Sequence, residues 1–226
     1  MKVTYYGHAC FAAQVGRKTL LFDPFISGNE LAKHIDPQKV PADYILITHA
    51  HMDHLGDAAD IAKRTGATII SNYEVTVWFG KQGLPKSHPL NHGGAYRFDF
   101  GRVKFVNAVH SSSLPDGTYG GNPGGFVVEG PEGSFYYAGD TALTMDMKLI
   151  GESARLRFAA LPLGDNFTMG VDDAILAAEF VKCNQVLGLH YNTFPIIAID
   201  TQAAVARFKA AGKELHLLQP GQSREF

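Results

Sequence analysis

Cysteine is scarce in this chain of 226 residues: Cys10 and Cys183 are the only two, far apart in sequence. That excludes a disulfide framework and leaves no thiolate pair at metal-ligating spacing, and it suits two reduced thiols in a cytoplasmic protein. No apolar run approaches the ~20 residues needed to span a bilayer, and the opening MKVTYYGHACF lacks the apolar core of a signal peptide. A membrane partner is therefore not expected. Charge of one sign is also lacking, because 20 Lys and Arg stand against 22 Asp and Glu for a net charge of −2. Without a basic run there is no broad attraction for nucleic acid, so the expected partner is a small-molecule substrate, with or without assembly into a homo-oligomer. Low-complexity tracts and linkers are missing too. At 46% hydrophobic and 19% charged residues, 1–226 reads as one globular domain able to bury a layered core.

What is present begins with short β-rich runs, VTYYG, CFAAQV and TLLFD, which read as an antiparallel meander. Tyr44 to Thr48 then reads as an apolar strand, Asp57 to Thr65 as a helix closed by Gly66, and ATIIS as the next strand. After a helix over Glu74 to Lys81, the pattern starts again. AYRFDF and RVKFVNA flank Gly101 as one hairpin, and GFVVEG and SFYYAGD flank Pro131–Glu132–Gly133 as another. FAALPLG, a helix from Asp172 to Lys182, QVLGLH, a helix from Thr201 to Ala211 and ELHLLQP complete it. Strands followed by α/β units, repeated once, suggest an α/β protein of two β-layers faced by helices, each half of the chain supplying one sheet.

The segment ILITHAHMDHLGD places His49, His51, Asp53 and His54 directly after an apolar strand, in the pattern H-x-H-x-D-H. Residues two apart on an extended segment point the same way, so His49 and His51 can converge on one ion, while Asp53 and His54 are aimed at a second beside it. Such a centre needs further donors. His110, Asp140 and His190 each close an apolar strand run, where a loop follows and reactive side chains gather. Each also has a plainer reading: His110 and His190 as hydrogen-bonded structural residues, Asp140 as a turn residue or helix cap. Imidazole and carboxylate suit Zn, Mn, Ni, Co or Fe, and without thiolates nothing singles out zinc. His34, His88, His92 and His216 have no convergent setting, and Asp57 reads as a helix cap.

In order and type these residues resemble the signature of the metallo-β-lactamase-fold superfamily, over essentially the whole chain. GHACF…DPFISGN is similar to the start of its lactonase-like branch, and LPLGDNFTMG with HYNTFPI to a family of small metal-dependent hydrolases within it. The resemblance implies a four-layer αββα sandwich of two mixed β-sheets flanked by helices. It also implies two divalent ions, one on His49, His51 and His110, the other on Asp53, His54 and His190, with Asp140 bridging. The implied chemistry is hydrolysis of a small ester, lactone or phosphoester by activated water, with Asp53 or Asp140 accepting a proton. A di-iron redox protein of the same fold, a phosphodiesterase or nuclease acting on nucleotides, and a non-catalytic metal-binding module are the alternatives. Around the centre, His8, Asn166, Thr168, Asn192 and Thr193 are candidate substrate contacts, and Asp23 is a candidate partner for a ligand N–H. Phe167, Met169 and Phe194 are candidate apolar wall or simply core, and YGGNPGG reads as a hairpin loop or mobile lid rather than a phosphate cradle.

Overall fold

The computed structural model describes residues 1–226. Its first strands, β1 (Lys2–Gly7), β2 (Cys10–Val15) and β3 (Lys18–Phe22), form the antiparallel meander, with Val3 and Tyr5 of β1 turned inward on alternate residues. β4 (Tyr44–Leu46) lies parallel to β3 and is followed by two short helices, α1 (Met52–Leu55) and α2 (Ala58–Thr65). α2 buries Ala58, Ile61 and Ala62 on one face and stops where Gly66 takes a left-handed conformation. β5 (Thr68–Asn72), α3 (Tyr73–Lys81) and β6 (Ser87–Leu90) continue the parallel run, and the Asn72 side chain caps α3 by accepting from the Val75 N–H.

The plan then repeats. β7 (Ala95–Phe98), β8 (Gly101–Asn107), β9 (Gly124–Gly130) and β10 (Gly133–Tyr137) are antiparallel neighbours. α4 (Met147–Ser153), β11 (Leu156–Pro162), α5 (Val171–Phe180), β12 (Gln185–Leu189), α6 (Thr201–Ala210) and β13 (Glu214–His216) extend that sheet by parallel pairing. Finally β14 (Ser223–Glu225) returns to the first sheet and pairs with β1. The sheet orders are β14-β1-β2-β3-β4-β5-β6 and β13-β12-β11-β10-β9-β8-β7, each half antiparallel and half parallel. Parallel neighbours need crossover connections, and the helices supply them.

The innermost cluster draws side chains from both sheets, among them Phe11, Phe22 and Leu46 from one and Phe126, Phe135, Tyr137 and Phe158 from the other. Phe11 stacks on Phe22 with ring centroids 4.5 Å apart, and Tyr137 meets both edge-on. Outer clusters join the helices of each half to their own sheet. The result is the expected αββα sandwich of two mixed sheets.

Several expectations need correction. The strand expected to run to Thr48 ends at Leu46, because Thr48 turns its N–H and hydroxyl to Asp23. Helical structure begins at Met52, before Gly56, so Asp53 and His54 sit on a helix of their own. Asp57 precedes α2 without capping it: its carboxylate accepts from Ile26 N–H, Ser27 N–H and the Ser27 hydroxyl. The sheets do not divide the chain at its middle, since β14 crosses back, and β6 and β14 carry no alternating pattern by which to read them.

Candidate metal centre

The loops that leave β1, β3, β4, β8, β10 and β12 meet at one edge of the two sheets, and each brings one or more of the candidate residues. Asp23, buried one residue after β3, organises them. Its Oδ1 accepts from the Thr48 N–H at 2.8 Å; its Oδ2 accepts from the Thr48 hydroxyl at 2.6 Å, from the Tyr137 hydroxyl at 2.6 Å and from His54 Nδ1 at 2.8 Å. With Nδ1 protonated toward Asp23, the lone pair of His54 lies on Nε2 and faces the site. The Thr48 hydroxyl spends its proton on Asp23 and so accepts from His49 Nδ1 at 3.0 Å, which leaves the His49 lone pair on Nε2 as well. One carboxylate thus sets the tautomers of two imidazoles.

The ligand-type atoms fall into three groups. His49, His51 and His110 form one, Asp53, His54 and His190, joined by His8, form another, and Asp23 with His49 and His54 forms a third that shares an imidazole with each of these two. In the first, His49 Nε2 lies 2.9 Å from His51 Nδ1. Two ring nitrogens that both offer lone pairs repel at that distance unless a proton or a cation stands between them. Asp140 connects the first two: its Oδ2 lies 3.0 Å from His190 Nε2, 3.3 Å from His54 Nε2 and 3.6 Å from His110 Nε2. Asp53 Oδ2 lies 3.8 Å from His190 Nε2 and 4.0 Å from His54 Nε2. Gly139 makes the approach of Asp140 possible. It has φ +64°, and a Cβ there would stand 2.8 Å from the Thr48 side chain and 2.9 Å from the Gly124 carbonyl.

Buried polar atoms normally have partners, yet Asp140 Oδ1 has none, and His54 Nε2 and His190 Nε2 make no well-aligned hydrogen bond, only ion-pair approaches to Asp140 Oδ2. The two nitrogens and Asp140 Oδ2 lie in one cluster of nitrogen and oxygen donors, a set that suits a divalent cation. The electrostatics agree. Burial disfavours the His190 cation, but Asp140 and Asp53 outweigh it and push the pKa up to about 9. His54 is held well above its ordinary value, again against burial, by Asp140, Asp23 and Asp53. Against burial, His54 and His190 hold Asp140 well below the usual carboxylate range, and His54, His190 and His8 do the same to Asp53. Burial and the neighbouring imidazoles push His49, His51 and His110 down, and burial takes His8 to about 4 against its hydrogen bond to Asp53.

His8 and Thr193 come together beside Asp53. His8 Nε2 lies 3.1 Å from Asp53 Oδ2 and its Nδ1 lies 2.9 Å from the Thr193 hydroxyl, so the ring donates to the carboxylate and accepts from Thr193. Asn192 is placed elsewhere: its Oδ1 accepts from the Ile199 N–H, and it lines a cavity of about 660 Å³ with Tyr5, Tyr191 and Gln202. Asn166 and Thr168 lie on the loop after β11, where Asn166 is exposed and the Thr168 hydroxyl donates to the Met169 carbonyl. Met169 is buried in the core, while Phe167 and Phe194 are exposed. The YGGNPGG loop is tethered rather than free, because the Asn72 amide donates to the Gly120 and Asn122 carbonyls and Gly124 N–H donates to the Thr48 carbonyl. Thr48, Tyr137 and Ser111, whose hydroxyl lies 3.3 Å from His51 Nε2, escaped the sequence reading. Only Thr48, next to the motif, carried a signal by which to find it.

The model of the beta-lactamase superfamily domain matches residues 18–191. A UPF0173 metal-dependent hydrolase of Flavobacterium johnsoniae is 55% identical over 225 residues, covering 100% of both chains, and one of Christiangramia forsetii is 53% identical over 226 residues with the same coverage. Among solved structures, Igni18, a metallo hydrolase from the archaeon Ignicoccus hospitalis, superposes with a TM-score of 0.90 at 34% identity, covering 100% of this chain and 98% of that one.

Proposed function

Because the chain belongs to the beta-lactamase superfamily, among relatives called metal-dependent hydrolases, we propose that it is a metal-dependent hydrolase with a dinuclear centre, acting on a small ester, lactone or phosphoester. The observation that carries this reading is the reach of Asp140 Oδ2 to His110 of one group and to His54 and His190 of the other, within 3.0–3.6 Å. His49, His51 and His110 would hold one ion, Asp53, His54 and His190 the other, and Asp140 would be shared. Bound there, two divalent ions supply Lewis-acid polarisation of the scissile group and activation of water near neutral pH.

The chain's own residues do the rest. Asp23 holds the His54 and His49 rings in the tautomers that aim Nε2 at the centre, so ligation needs no reorientation. His8, anchored by Thr193, donates to Asp53 Oδ2 and keeps that carboxylate turned toward His190 and His54. Asp53 is half-exposed, while Asp140 is buried among imidazoles. The Asp53 carboxylate is therefore the more accessible of the two to take a proton from the attacking water and return it to the leaving oxygen. Chelator-stripped protein reconstituted with Mn, Zn or Ni is expected to regain hydrolysis within a panel of esters, lactones and phosphodiesters. No metal-dependent turnover of any of them would overturn the reading.

A further inference from the structure

Two properties of the loops around the centre are not required by its ligands. Residues 23–29, 47–57, 108–123, 138–146, 163–170 and 190–200 contain no lysine or arginine. Their exposed charged side chains are acidic, including Asp116, Asp146 and Asp165. The same loops expose large apolar side chains: Met52, Val109, Phe167, Phe194 and Ile196 are each between 38% and 61% exposed.

Their placement ties them to the centre. Met52 stands between His51 and Asp53 on α1, and Val109 directly precedes His110, its N–H bonded to the Thr141 hydroxyl at 2.9 Å. The Phe194 ring packs edge-on to His8 at 5.6 Å. The Phe167 loop is fastened to the residue after Asp140, through the Met169 N–H and the Thr141 carbonyl at 3.0 Å. Exposed apolar side chains on the loops that carry the candidate ligands, with Phe194 against His8, are suited to meet an apolar part of a ligand.

Metal ions at the centre would engage the group that reacts, so these walls face the remainder of the substrate. An anionic remainder would meet loops that carry acidic side chains and no lysine or arginine of their own, with Lys81 of α3 acting on Asp116. A phosphoryl transition state gathers further negative charge, for which sites commonly add arginine or lysine clamps. We propose that the substrate is an uncharged carboxylic ester or lactone with an apolar acyl chain, held beyond the reacting carbonyl by Met52, Val109, Phe167 and Phe194. This rests on the hydrolase reading above. In the reaction the oxygen of water bonds to the acyl carbon and the acyl–oxygen bond breaks. One water proton goes to the leaving alkoxide, and the other is released from the new carboxylic acid.

The test uses the Mn- or Zn-reconstituted protein and substrates with one leaving group: p-nitrophenyl acetate, butyrate and hexanoate, the mono-p-nitrophenyl ester of succinic acid, and bis(p-nitrophenyl) phosphate. Only turnover abolished by chelator is counted. From acetate to hexanoate kcat/KM is expected to rise by about tenfold or more, on the usual worth of burying methylenes. Butyrate should exceed the succinate ester, which differs by a terminal carboxylate, by a similar factor. Phe194→Ala should lower the hexanoate-to-acetate ratio with metal content retained, and Val109→Lys should narrow the butyrate-to-succinate ratio several-fold. A flat chain-length series, or a succinate ester turned over as well as butyrate, overturns the proposal. So does a concentration-dependent dimer, lost in Phe194→Ala while the chain-length series stays unchanged, which would assign the apolar rim to a second copy of the chain. Turnover of the phosphodiester but of no ester overturns this proposal and leaves the hydrolase reading standing; no chelator-sensitive turnover of any substrate removes both.

Discussion

Asp23 accepts from Thr48, Tyr137 and His54 with its two oxygens, and that arrangement is the main reason the site is organised before any ion arrives. Asp23→Asn keeps the volume but replaces an acceptor oxygen with an amide that points protons at donors. Metal affinity is expected to fall roughly 10–100-fold, the usual cost of losing an orienting partner, and stability by about 1–3 kcal/mol from unpaired buried groups. Competition with a metal chelator and urea denaturation measure the two; a variant unchanged in both would refute the orienting role. In the proposed centre His51 would act as a donor and not as an orienter. His51→Ala should lower the metal content by at least one ion per chain in elemental analysis, and an undiminished content would remove His51 from the ligand set. The histidines and Asp53 of the motif were legible because their spacing is itself the signal. Tyr137 was not, because it reaches Asp23 from 114 residues away and a tyrosine in a β-run reads as core.

Among the elements, the β10-to-α4 connection shows how close approach is achieved. β10 ends at Tyr137, three residues before Asp140, and the chain turns through Gly139 against Thr48 and the Gly124 carbonyl. Ala138 N–H still donates to the Ala160 carbonyl at 3.0 Å, so the turn begins from a backbone held by the neighbouring strand. Gly139→Ala would add a methyl where no space exists, in a conformation that L-residues avoid. We expect a loss of about 2 kcal/mol or more in equilibrium unfolding, together with weakened metal binding as Asp140 is displaced. Wild-type stability in that variant would mean the loop can relax and that Asp140 is less constrained than its packing implies. Strand ends followed by His or Asp were readable as places where reactive groups gather. How far past each end the donor falls was not, since His190 follows β12 directly while His110 and Asp140 lie three residues beyond β8 and β10.

For the molecule as a whole, the centre couples protonation to folding. In the metal-free protein His190, with a pKa of about 9, and His54, also raised, are stabilised as cations. Their contribution is complete below about pH 6.5 and is lost as pH rises through the folded values. His8, His49, His51 and His110 are shifted the other way by burial, so their contribution is complete above about pH 6.5 and is lost as pH falls. Asp53 and Asp140, depressed by the imidazoles, add a further loss once pH falls below the ordinary carboxylate value of about 4. The site's share of stability without metal should therefore peak near pH 6.5. Ligation requires His54 and His190 to give up protons, so metal should stabilise more strongly as pH rises from about 6.5 to 9. Thermal denaturation with and without chelator checks this, and a metal-dependent Tm increment that stays constant over that range would contradict it.

Local pattern settled most of the inventory: most strands and helices, though not α1, β6 or β14, that they come as a meander plus α/β units twice over, and that four ligand-type side chains crowd the end of one buried strand. These are properties of neighbours in the chain, set by alternation, helical periodicity and the clustering of His and Asp, and they survive without knowledge of the fold. Convergence belongs to the tertiary structure alone. Bringing His8, Asp23, His51, His110, Asp140 and His190 to one edge depends on sheet order, on β14 crossing back to β1 and on Gly139 yielding space. Each is a packing outcome between segments distant in sequence. The exposed apolar side chains on these loops belong with them, because exposure is decided by what the rest of the chain covers.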